Sequence, residues 1–272
     1  MTPNSCVSAG TSTVPALSPA EAAYINPQNF RSAGLTTRSP LARSAAAAAS
    51  DPSQDMSDYA KIRTNMVESQ LRPNKVNTPA LIDAFLAVPR EAFVPPSLKG
   101  AAYVDDDVPL GGGRTLLEPM VFARLLQSAA IGPGDVVLEI GCTTGYGAAI
   151  LARLAKSVIA IDCDPALLRQ ATANLAGLRN IVLFEGQLDK GYPERAPYDV
   201  IVIGGTVAEI PPALIDQMAE GGRLVTVVET RAGQLGEAVL LQRGPDGIVR
   251  RRLFEAAAHV LPGFQREPSF AF

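Results

Sequence analysis

The sequence holds a single histidine, His259, and three cysteines, Cys6, Cys142 and Cys163, in 272 residues. One imidazole excludes a multi-histidine metal site, and any Ser/His or Cys/His catalysis would rest on His259 alone. His259 lies in the apolar run Ala256 to Leu261, which favours a structural role. The cysteines are odd in number and their spacing fits neither a disulfide framework nor a zinc motif, so a reducing compartment, the cytoplasm, is expected. No apolar run reaches the roughly 18–20 residues of a membrane span. Net charge is only −3, too small a field to select nucleic acid or an anionic membrane. No metal, nucleic-acid or membrane partner is therefore expected, and the sequence carries no signal for an oligomeric state.

What is present is apolar material. Hydrophobic residues make up 47% and charged residues 19%, enough to build a sizeable core. The distribution is uneven. Residues 1–55 are rich in Ala, Ser, Thr and Pro, with bulky apolar residues sparse and aperiodic, so they cannot offset their chain entropy and read as a disordered low-complexity extension. Arg31, Arg38 and Arg43 face one acid, Glu21, before Asp51, a balance that mildly resembles an organelle transit peptide. A non-functional extension ahead of a start at Met56 is the favoured reading. Residues 56–272 form the globular domain.

Within that domain, Tyr59–Gln70 has helical spacing. Thr78-Pro79 reads as N-cap and first residue of a helix over Ala80–Ala87. The glycine loop Gly111–Gly113 precedes a helix at Pro119–Ala130. From Val136 onward, short apolar strands alternate with helices: strands at 136–140, 157–161, 181–184, 199–203 and 223–228, helices at 148–155, 165–175 and 212–218. Nearly all-apolar strands imply burial on both faces, as in a parallel sheet covered by helices. Residues 237–242 and 248–254 flank Arg243–Gly247 as a β-hairpin. The expected fold is α/β and doubly wound, mostly parallel, with an antiparallel C-terminal hairpin.

The strand Val136–Ile140 runs into Gly141-Cys-Thr-Thr-Gly145 and then a helix, and the next strand ends at Asp162, 21 residues after Gly141. Ligands of such sheets bind outside the carboxyl ends of the strands, and an acid at this spacing can accept from ribose hydroxyls. The dinucleotide pattern Gly-x-Gly-x-x-Gly and the P-loop are both absent. Glu139 is a charge on a buried strand and wants a partner, for which the ammonium of an amino-acid-like cofactor is suited. Asp105-Asp106-Asp107 reads as a solvated loop edge.

At this point the sequence resembles the protein-L-isoaspartate O-methyltransferase family of class I S-adenosyl-L-methionine (AdoMet) methyltransferases. The resemblance runs from about Asp58 to the C-terminus. It rests on Val88-Pro-Arg-Glu-Ala-Phe-Val94, Pro109-Leu-Gly-Gly-Gly-Arg-Thr-Leu-Leu-Glu-Pro119, Leu138-Glu-Ile-Gly-Cys-Thr-Thr-Gly-Tyr146, Ala196-Pro-Tyr-Asp199, Glu209-Ile-Pro211 and Glu220-Gly-Gly222, in that order. It implies a seven-stranded Rossmann-like sheet, AdoMet as methyl donor and isoaspartyl peptides or proteins as acceptors in protein repair. Glu139, Gly141, Cys142 and Gly145 would then line the methionine end, Asp162 would hold the ribose and Gln187 would lie at adenine. Gly113, Arg114, Leu117, Glu118 and Pro119 would form the acceptor loop, with Thr115 as its hydroxyl.

The chain departs from the family pattern at Leu117-Glu118, where the family has Ser-Gln, at Thr143, where it has glycine, and at Leu188, where Gly-Asp-Gly has become Gly-Gln-Leu. Glu118 would repel an anionic acceptor unless it turns away or pairs with Arg114. A carboxylate acceptor, with a pKa near ~4, needs no general base at neutral pH. Two other functions remain open at this level: an AdoMet methyltransferase with a different acceptor, and a non-catalytic AdoMet-fold binding or regulatory protein.

Overall fold

The computed structural model describes residues 52–230 and 235–265. Most of the low-complexity extension therefore lies outside the described residues. The described residues open with α1 (Pro52–Met66), which passes directly into a π-helical turn at Val67–Leu71. Val67 and Leu71 are both fully buried, so the turn places two apolar side chains in the core.

Helix α2 (Pro79–Ala87) starts on Pro79, whose missing N–H needs no partner there. Thr78 holds the N-cap position without capping; its hydroxyl donates to Gln127 Oε1 at 3.2 Å. The expected glycine loop is instead a two-stranded antiparallel hairpin, β1 (Val108–Gly111) and β2 (Arg114–Leu116). Gly111, Gly112 and Gly113 all have positive φ, which lets so short a connection turn. Helix α3 (Pro119–Ala129) follows and ends on Ala130 in the left-handed conformation.

The sheet then forms by alternation: β3 (Val136–Ile140), α4 (Tyr146–Leu151), β4 (Ser157–Asp162), α5 (Pro165–Asn174), β5 (Ile181–Glu185), β6 (Tyr198–Val207), α6 (Pro212–Asp216), β7 (Met218–Val228), β8 (Gly236–Gly244) and β9 (Gly247–Ala256). Its order is β5-β4-β3-β6-β7-β8-β9. The first five strands of that order pair in parallel, and β8 and β9 pair antiparallel. This is the Rossmann-like sheet that the resemblance implied, with seven strands and an antiparallel C-terminal hairpin.

Period two sorts the strand residues onto the two faces. Val137, Val158, Val200 and Val225 join one core cluster with α2, α3 and α4. Leu138, Ile140, Ile159, Ile161, Ile201 and Leu224 join the other with Leu214 of α6. Glu139 shares the parity of Val137, so its side chain meets α3 and α4 rather than solvent. The sheet reverses its winding between β3 and β6, and a crevice opens there at the carboxyl ends. At the far edge, β9 carries Arg250, Arg251 and Arg252, all exposed, which discourages pairing with another strand.

Candidate functional site

The crevice at the end of β3 holds a partly open cavity. The hairpin strand β2 and the residues after it supply Thr115, Leu116 and Leu117. The strand–turn–helix unit supplies Glu139, Gly141, Cys142, Thr143, Tyr146 and Gly147, and β6 supplies Gly204. Of the residues that the resemblance assigns to the methionine end, Glu139, Gly141 and Cys142 line the cavity, and of those in the acceptor loop Thr115 and Leu117 do. Asp162 and Gly145 lie just behind its wall. Gln187 is exposed beyond the end of β5, and Leu188 is 1% exposed within the second core cluster.

Glu139 is 3% exposed, and its Oε2 has no hydrogen-bond partner among the described residues. Burial, reinforced by the charge of Asp162, pushes its carboxyl up to about 8. Gly147 makes room for it, since a Cβ there would lie 1.8 Å from Glu139 Oε1. A buried acid lacking a partner at one oxygen suits a cationic ligand group. The methionine end therefore fits AdoMet by the chemistry of its donors and acceptors.

The turn around it is held in left-handed backbone at Gly141 (φ 80°), Thr143 (φ 50°) and Gly145 (φ 92°). Thr143 is a β-branched residue where glycine would be relaxed. Its N–H donates to Asp162 Oδ2 at 2.8 Å. Thr144 Oγ1 donates to the Phe93 carbonyl at 2.6 Å, and Asn174 Nδ2 donates to the Thr144 carbonyl at 2.9 Å. Cys142 is buried among these groups, and burial together with the charges of Glu139 and Asp162 pushes its thiol up.

Asp162 is fully buried and fully engaged. Arg114 Nη1 and Nη2 donate to its two oxygens at 2.6 and 2.8 Å. Besides the Thr143 amide, the N–H of Asp164 also donates to it, at 3.1 Å. Of the two ways Glu118 could be neutralised, pairing with Arg114 is not formed, because Arg114 is held by Asp162. Arg114, 4% exposed, crosses to Asp162 because the hairpin folds over the carboxyl ends of β3 and β4. Burial lowers the pKa of its guanidinium, but the Asp162 bonds outweigh that and raise it.

Glu118 turns toward acids. Partial burial, followed by Asp105, Asp107 and Asp106, pushes its carboxyl up to about 7. Asp105 and Asp106 are exposed, as a solvated edge should be, but Asp107 points inward and organises the loop. It accepts from the Glu118 N–H at 2.8 Å and from Thr115 Oγ1 at 3.3 Å. Its Oδ2 also lies 3.0 Å from His259 Nδ1. Thr115 spends its hydroxyl on holding the turn. His259 is 63% exposed and stands beside the acceptor loop, rather than in apolar packing as its neighbours in sequence suggested. Gly113 is exposed at the hairpin tip, and Pro119 is buried as the first residue of α3.

Sequence reasoning missed Arg90 as a support of the site. It is fully buried; Nε donates to the Ala102 carbonyl at 2.6 Å, and Nη2 donates to the carbonyls of Leu117 at 2.9 Å and Leu116 at 3.4 Å. Its guanidinium stands 4.9 Å over the Tyr146 ring. The only signal was its place in the segment Val88–Val94. Among the described residues no group of three or more His, Cys, Asp or Glu is arranged to hold a metal ion, and no helix is long and apolar enough to cross a membrane.

Comparison with known proteins agrees with this geometry. Residues 62–260 match the family model described as protein-L-isoaspartate(D-aspartate) O-methyltransferase. A protein-L-isoaspartate O-methyltransferase of Methylorubrum extorquens is 43% identical over 183 residues, 67% of this chain and 80% of that protein. One of Gloeobacter violaceus is 39% identical, covering 70% of this chain and 93% of that protein. A solved structure named protein-L-isoaspartate O-methyltransferase superposes with a TM-score of 0.65 at 25% identity, covering 75% of this chain and 66% of that one. A Plasmodium falciparum structure carrying S-adenosyl-L-homocysteine has a TM-score of 0.62 at 19% identity, over 75% of this chain and 97% of that one, and speaks for the fold.

Proposed function

The chain belongs to the protein-L-isoaspartate(D-aspartate) O-methyltransferase family, and from that premise we propose that it methylates the free carboxylate of L-isoaspartyl residues in damaged proteins. AdoMet supplies the methyl group: the carboxylate oxygen forms the new C–O bond while the S–CH3 bond breaks and sulfur keeps the electron pair. The backbone nitrogen then closes the ester product to a succinimide with loss of methanol, and hydrolysis by water partly reopens it to normal aspartate.

The observation that carries this reading is the buried carboxylate of Glu139, one oxygen unpartnered, in the cavity at the carboxyl end of β3. Its role is to receive the ammonium of the methionine end. Gly141 and Gly145 let the backbone turn beside the cofactor. Asp162 is the ribose acceptor, and exposed Gln187 is placed for the adenine edge. Leu116, Leu117 and Phe122 give the cavity apolar walls that keep water from the reacting atoms. No base is assigned, because the acceptor arrives ionised. Rate enhancement then comes from alignment of oxygen, methyl and sulfur. Cys142, buried and in no disulfide among the described residues, supports placement in a reducing cytoplasm.

The test is methyl incorporation into an isoaspartyl peptide beside its aspartyl twin. Incorporation into the first alone is expected. Bound AdoMet without turnover on either peptide would defeat the assigned acceptor and leave a methyltransferase of another substrate.

A further inference from the structure

We propose that Arg114 exchanges partners: it holds Asp162 in the free protein, and it binds the acceptor's carboxylate once a cofactor ribose takes Asp162. The proposal rests on the AdoMet and isoaspartyl reading above and adds a residue that couples the two ligands.

Asp162 has a limited capacity for donors. A carboxylate offers about four lone-pair sites. In this structure four donors use them: Arg114 Nη1 and Nη2, and the amides of Thr143 and Asp164. A ribose diol brings two further donors, so donors must leave. The two amides belong to the turn and strand end that form the site. Arg114 is the one side chain among the four, and it sits on a hairpin outside the main sheet. Arg114 is therefore the group that yields.

A displaced Arg114 would be a buried cation without a counter-ion, which costs several kcal/mol unless a new anion arrives. The anion of this reaction is the acceptor. Thr115 and Leu117, one and three residues further along, line the cavity. Arg114 Nη2 lies 3.4 Å from the point where a Cβ on Gly141 would sit, and Gly141 is itself a cavity wall. Arg114 Nε is buried and has no acceptor among the described residues, so the guanidinium already carries an unused donor. A guanidinium edge matches a carboxylate with two parallel hydrogen bonds. The rival cation near the loop, Arg90, gives Nε and Nη2 to three backbone carbonyls and makes no bond to Asp162, although its Nη1 is likewise buried without an acceptor among the described residues. Leu117 offers no hydroxyl to an acceptor, and Arg114 fills that role.

The experiment is calorimetric titration of the full chain and of R114Q with S-adenosyl-L-homocysteine, each with and without a saturating isoaspartyl peptide. Asp162 keeps its two backbone donors in R114Q, so the variant is expected to fold; if it does not, R114M, which likewise removes the cation, carries the same comparison with the same signs. Without peptide, R114Q is expected to bind S-adenosyl-L-homocysteine about tenfold tighter than wild type, because nothing competes for Asp162. The peptide is expected to tighten that binding by about fivefold or more in wild type, and the effect disappears in R114Q. Equal affinity in wild type and R114Q, or weaker affinity in R114Q, overturns the exchange while leaving the cofactor reading intact. No binding to either protein removes the cofactor reading and the exchange with it.

Discussion

At the scale of single residues, the site holds two acids with opposite surroundings. Asp162 accepts four hydrogen bonds, whereas Glu139, on the neighbouring strand, has an oxygen with none. Thr143 donates its N–H to Asp162 from left-handed backbone at φ 50°. A non-glycine residue in that region carries roughly 1–2 kcal/mol of strain. Removing a buried threonine side chain ordinarily destabilises by a similar amount, roughly 1–2 kcal/mol. T143G is therefore expected to be as stable as wild type within about 0.5 kcal/mol in denaturant unfolding, although the residue is 4% exposed. A loss above about 2 kcal/mol would show that Thr143 is not strained. The oddity at Thr143 was legible from sequence, because a turn patterned on glycine has threonine at its centre. The Arg114–Asp162 pair was not. Its members stand 48 residues apart, and no local pattern announces that a hairpin will fold one onto the other.

At the scale of elements, sequence periodicity reads the interior well and the ends poorly. The strands at 136–140 and 157–162 emerge where apolar runs placed them, because burial on both faces leaves only one period to satisfy. Helix α4 starts at Tyr146, two residues before the expected start, since Gly145 in left-handed backbone fixes its N-terminus more sharply than apolar spacing does. The hairpin β1–β2 went unread because its strands have only four and three residues, too short for a period to show. What anchors the residues after that hairpin is Arg90, whose bonds to the carbonyls of Ala102, Leu116 and Leu117 join the segment before β1 to the one after β2. R90M keeps the length of the side chain and removes the donors, leaving buried carbonyls unpaired. It is expected to destabilise by roughly 3–5 kcal/mol in urea unfolding and to raise KM for the isoaspartyl peptide more than it lowers kcat. A variant with wild-type stability would show that those carbonyls find other partners.

At the scale of the whole molecule, the winding order decides which charges can meet. Because the sheet reverses between β3 and β6, the strand that carries Glu139 lies inside the sheet between β4 and β6, covered by α3 and α4, and the acid titrates against the whole fold. The alternation of strands and helices made this order legible. The cost of the buried charge was only partly so, since it depends on how completely Phe122, Tyr146 and Gly147 exclude water around Glu139. Its effect on stability has a definite sign. The Glu139 carboxyl is raised from an ordinary 4.5 to about 8, so the folded protein binds more protons than the unfolded chain between those values. This group's contribution to stability is fully present below about pH 4.5, falls as pH rises, and is lost above about pH 8. S-adenosyl-L-homocysteine brings an ammonium that favours the ionised form, so its binding near pH 7 should release close to one proton, and its apparent affinity should rise by up to roughly tenfold per pH unit toward pH 8. Thermal unfolding of wild type and E139Q, with and without the ligand, near pH 5.5 and near pH 8.5, isolates Glu139 as a double difference in which Glu118 and other shared titrations cancel. E139Q should be the more stable ligand-free protein at the higher pH, by an amount on the order of a few kcal/mol, and the two should converge at the lower pH. The stabilisation conferred by the ligand should grow with pH in wild type and stay flat in E139Q. Parallel pH dependence in the two proteins would mean that Glu139 is already ionised and paired in the free state, and the cavity at the end of β3 would then lose its claim on a cationic ligand.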